Sequence, residues 1–96
     1  MNRKRVVITG MGAVTPIGNT VKDAWAGLSE GKSGIARITI FDAESFPTKI
    51  AGEVKDFDFE KWTAGGADLR FLGRNSHFAL EAADESVKEA GLANAR

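Results

Sequence analysis

Val6-Val7-Ile8-Thr9-Gly10-Met11-Gly12, followed by Thr15-Pro16 and Gly18, carries most of the fold information in this chain. Three adjacent β-branched residues run straight into a glycine-rich turn. An unbroken apolar run suits a strand buried on both faces, as in a parallel sheet covered by helices. The glycines let the backbone turn sharply or approach a neighbour closely. The expected class is therefore α/β, with residues 4–10 as an inner strand. Such a strand needs neighbours, and 96 residues offer few candidates.

Working outward, residues 11–19 form a loop in which Pro16 cannot donate a backbone hydrogen bond. Thr20 is a good N-cap, with Asp23 three residues on as an approximate capping box. Val21, Ala24, Trp25 and Leu28 recur at helical spacing, and Gly31 sits where a helix should stop, giving a helix over about 20–30. Lys32-Ser33-Gly34 reads as a turn. Ile35 to Phe41 is extended, an edge strand with Ile38 and Ile40 on one face. Lys49 to Val54 is a second strand, weakened by Gly52. Asp56 to Trp62 is compact, anchored by Phe57, Phe59 and Trp62, and Gly65-Gly66 is a break. The longest element is a helix from about Arg70 to Ala90, in which Leu72, Ala79, Ala82, Ala83, Val87 and Ala90 mark one face and Gly91 is the stop. Gly73, Asn75 and Ser76 weaken its start, so the regular helix is expected from about 74. Its alanines predict close packing against another element.

Bulk properties narrow the function classes. Apolar residues make up 43% of the chain, as in a globular protein. Net charge is zero, so no global field steers it to nucleic acid or to a membrane surface. No apolar run reaches the roughly 18 residues of a spanning helix. Arg3-Lys4-Arg5 resembles the basic start of an export signal, but the apolar run behind it is broken by Thr9-Gly10, so a cytoplasmic location is expected. The chain contains no cysteine, which excludes a thiol nucleophile or thiolate metal site within it.

Four constellations are candidate sites. Gly10 and Gly12 match two glycines of a G-x-G-x-x-G dinucleotide turn, but Thr15 replaces the third and Pro16 follows, so a structural turn is the better reading. His77, the one histidine, has no cysteine and no second ligand at metal spacing; a packing or surface role is expected, with Glu81 at i+4 as a possible contact. Glu53, Asp56, Asp58 and Glu60 alternate with Val54, Phe57 and Phe59 and read as a solvated face. Arg70 and Arg74, one turn apart, read either as solvating charges or as a contact for an acidic partner.

The string from Val6 to Gly18 resembles the opening of the β-ketoacyl-acyl-carrier-protein synthases, in particular the elongating synthase II type of fatty acid synthesis. The resemblance continues through Trp25, Gly31 to Ile35, Phe41-Asp42, Ala51 to Phe57, Arg70 to Ala83 and Ala90-Gly91-Leu92, in order and without large gaps. It implies a thiolase-like αβαβα layered fold, about four times this length, of which residues 1–96 would be the N-terminal portion of the N-terminal domain. It implies a decarboxylative Claisen condensation of acyl and malonyl thioesters, run by a cysteine and two histidines that lie downstream of the matched segment. No catalytic, cofactor-binding or metal-binding residue carries over, and no cofactor is implied. His77 falls where relatives often have glutamine. Implied partners are an acyl carrier protein and the rest of the synthase, in a homodimeric parent. A basic patch that docks the acidic carrier is matched by Arg70, with Arg74 beside it, although Phe71, Gly73, Asn75 and Gly66 depart from the family pattern. The alternatives from other classes are a carrier-docking module without chemistry and a small nucleotide-binding α/β domain.

Overall fold

Thr20 starts the first helix as its side chain demands. Its hydroxyl oxygen accepts from the Asp23 N–H while its own backbone stays extended, and α1 follows over Val21–Ser29. The computed structural model describes residues 3–62 and 73–92. After α1 come two short strands, β1 (Ile35–Arg37) and β2 (Ile50–Gly52), then a 3₁₀ turn (Phe59–Trp62) and α2 (Arg74–Glu89). The strands pair antiparallel, with Ile35 opposite Gly52, Ala36 opposite Ala51 and Arg37 opposite Ile50. One further bond, from Ile38 N–H to the Lys49 carbonyl at 2.9 Å, extends the ladder. Asp56 takes a left-handed conformation (φ 56°) on the way from β2 to the 3₁₀ turn, which an Asp tolerates better than most residues.

Both helices end in the same way. Gly31 (φ +73°) and Gly91 (φ +74°) adopt the left-handed conformation just past the cap. The N–H of Lys32 reaches back to Gly27 and that of Gly31 to Leu28; Leu92 reaches Val87 and Gly91 reaches Lys88 in the same pattern. These paired bonds satisfy the last carbonyls of each helix. The start of α2 at Arg74 agrees with the sequence reading, and its Gly73 N-cap supplies no side-chain bond.

The loop before α1 is folded on itself. Thr15 and Gly18 exchange backbone hydrogen bonds of 2.8 and 3.2 Å across Pro16-Ile17. The Thr15 hydroxyl donates to the Gly18 carbonyl and accepts from the Ile17 N–H. Pro16 sits at the second position of this turn, where its fixed φ is an advantage. The segment containing Gly10 and Gly12 crosses α2. A Cβ on Gly10 would collide with the Ser86 carbonyl, and one on Gly12 with the Ala82 carbonyl. Ala82, Ser86 and Ala90 are spaced by four, so they form one stripe, and the close packing predicted from the alanines is present.

One expectation needs correction. Residues 4–10 form no strand ladder, and no parallel sheet exists among the described residues. Val6 is 93% exposed, with Val7 and Ile8 also exposed. A strand is defined by partners, and none of the described segments offers its edge to this one. Similarly, the apolar face of α1 is only partly covered: Ala24 and Gly27 are buried, while Trp25 is 69% exposed. Among the described residues the buried apolar set is Ala24 and Ala43, and no large side chain is fully enclosed. The radius of gyration is 17.1 Å, against about 12–13 Å for a compact domain of this length.

The crossing yields a test. Gly12→Ala should lower stability by about 1–3 kcal/mol, because its methyl must displace α2 backbone and not a flexible side chain. Thermal melts of the variant and the parent measure this; coincident melts would show that the crossing is looser than described.

Candidate functional site

Glu85, on α2, governs the glycine-rich loop. Its Oε1 accepts from the Ala13 N–H at 3.0 Å, and its Oε2 accepts from the Val21 N–H at 3.0 Å. Val21 is the first residue of α1, so a carboxylate sits at that helix's positive end. Hydrogen bonds to an ionised group are worth about 1.5–3 kcal/mol when partly buried. The sequence reading did not single out Glu85; nothing in its helical spacing announces a partner sixty or more residues away.

This arrangement bears directly on the dinucleotide alternative. A phosphate site needs free amides around the turn and an open helix N-terminus. Here the amides of Ala13 and Val21 go to Glu85, those of Thr15, Ile17 and Gly18 are used within the turn, and that of Asp23 goes to Thr20. The protein's own carboxylate fills the place of an anion. The glycines serve the contact with α2, as the structural reading held.

The second cluster joins the 3₁₀ turn to α2. Phe57 and Phe59 lie 4.7 Å apart between ring centroids, and Phe78 packs on both at 5.0 and 5.8 Å. His77 meets Phe59 edge-on at 5.4 Å. Its side chain is packing material, only 4% of the residue is exposed, and its Nδ1 has no hydrogen-bond partner. Glu81 pairs with Lys61 at 3.0 Å, which ties α2 to the 3₁₀ turn. Among the described residues, no group of three or more acidic or histidine side chains could hold a metal ion.

Arg74 caps this cluster. Its guanidinium carbon stands 4.7 Å from the Phe59 ring centre and 5.4 Å from that of Phe78. A cation over aromatic faces gains about 0.5–1 kcal/mol at an exposed site. No described carboxylate pairs with Arg74. Arg70, its partner in the sequence reading, lies outside the described residues, as do Phe71 and Gly66.

The acidic run is structural. Glu53 takes the N–H and hydroxyl of Thr39 and the N–H of Ile40, and Asp58 takes the Glu60 N–H at the start of the 3₁₀ turn. Two further ion pairs among the described residues are short, Arg37 with Glu44 at 2.9 Å and Lys88 with Asp84 at 2.8 Å. No described helix is long and apolar enough to cross a membrane.

Residues 3–96 match the family described as "Beta-ketoacyl synthase, N-terminal domain". The chain belongs to that family. It is 45% identical over 92 residues to the 3-oxoacyl-[acyl-carrier-protein] synthase 2 of Synechocystis sp., an alignment covering 96% of this chain and 22% of the relative. It is 47% identical over 95 residues to the protein of the same name from Coxiella burnetii, with the same coverage. Among solved structures it is similar to the ishigamide ketosynthase/chain length factor, with a TM-score of 0.81 and 42% identity over 95% of this chain and 22% of that one. The α/β ketosynthase architecture expected from the sequence is therefore the right one, and the chain spans about a fifth of the length of these relatives.

Glu53 gives a pH prediction. The Thr39 hydroxyl, then the Thr39 and Ile40 amides and the Lys55 charge, hold its carboxyl below the usual value of 4.5. A lowered folded pKa means the anchorage stabilises the strand region above pH 4.5 and is lost as pH falls through the lowered value. The Glu53 carboxyl should titrate below 4.5 by NMR, and Thr39→Val should move it back up. Identical titrations in both proteins would remove Thr39 as the cause.

Proposed function

We propose that this chain is the N-terminal portion of a 3-oxoacyl-[acyl-carrier-protein] synthase, a cofactor-free acyltransferase that condenses acyl and malonyl thioesters with loss of carbon dioxide. The observation that carries the reading is the match of residues 3–96 to the synthase N-terminal domain, together with relatives of one name along nearly the whole chain. The role of these residues is scaffolding: the glycine-loop crossing on α2, and the surface that includes Arg74. The condensation itself needs a nucleophile, and this chain has no cysteine, while its one histidine is buried against the Phe59 ring. A second reading is a carrier-docking module without chemistry. The proposed parent is a cytoplasmic homodimer acting in fatty acid synthesis, with neither nucleic acid nor membrane as a partner.

The 96-residue chain by itself should release no carbon dioxide from malonyl-carrier in the presence of acyl-carrier. Turnover above a blank free of host enzyme would falsify the assignment of chemistry to residues outside it. Restored turnover when the chain is joined to the rest of a synthase supports the condensing reading. Carrier binding with no turnover in any pairing supports the docking module.

Arg70 and Arg74 are the proposed carrier contacts. Guanidinium groups pair well with carboxylates, but each exposed pair is worth only about 0–1 kcal/mol. Reversing both to Glu replaces attraction with repulsion, so the loss should exceed simple deletion. In the whole synthase, KM for carrier-bound substrate should rise, less so at high salt, while carrier-free thioester analogues react unchanged. Equal effects on both substrate types would return the two arginines to the solvated surface.

A further inference from the structure

No further inference is drawn: the strongest candidate, the exposed apolar segment of Val6, Val7 and Ile8 that leads into the glycine-rich loop, is a face without a strand partner among the described residues, and nothing in the structure shows what covers it.

Discussion

The bidentate use of the Glu85 carboxylate holds the described structure together. One side chain on α2 takes an amide from the glycine-rich loop and an amide from the first turn of α1. That fixes the loop and the start of α1 to a helix more than sixty residues away in sequence. It works only if the loop backbone comes close enough to α2, which requires glycine at 10 and 12 and small residues at 82, 86 and 90. The Thr15–Gly18 turn then reverses the chain so that Thr20 can cap α1 beside the same carboxylate. Sterics, capping and charge are thus satisfied by one geometry. The same geometry removes the phosphate site that the two glycines suggest on paper.

Electrostatics here is local. A net charge of zero conceals short ion pairs and one arginine held by rings instead of by a carboxylate. Aromatic packing between the 3₁₀ turn and α2 supplies the rigid base for that cation, and His77 contributes as part of this packing.

The exposed residues Val6, Val7, Ile8, Trp25 and Leu28 show where apolar surface looks for cover. At about 25 cal/mol per Å² removed from water, such surface is a large unclaimed stabilisation. The family supplies the context: the solved ketosynthase that shares this fold over 95% of the chain is a molecule in which the chain accounts for 22% of the length.

Local chemistry was legible in the sequence. The Thr20 cap, the glycine stops at 31 and 91, the start of α2 near 74 and the two short strands follow from side-chain and backbone preferences that act within a few residues. The family was legible too, because a glycine and proline string at fixed spacing encodes a particular turn. The strand at residues 4–10 was readable as a pattern but not as a structure, since a strand exists through partners that local sequence does not supply. Tertiary structure alone decided that Glu85 reaches Ala13 and Val21, that Gly12 meets Ala82, and that Arg74 rests on Phe59 and Phe78. Each joins residues whose separation along the chain is unrelated to their distance in space, or depends on a rotamer chosen by packing. No periodicity records such a contact.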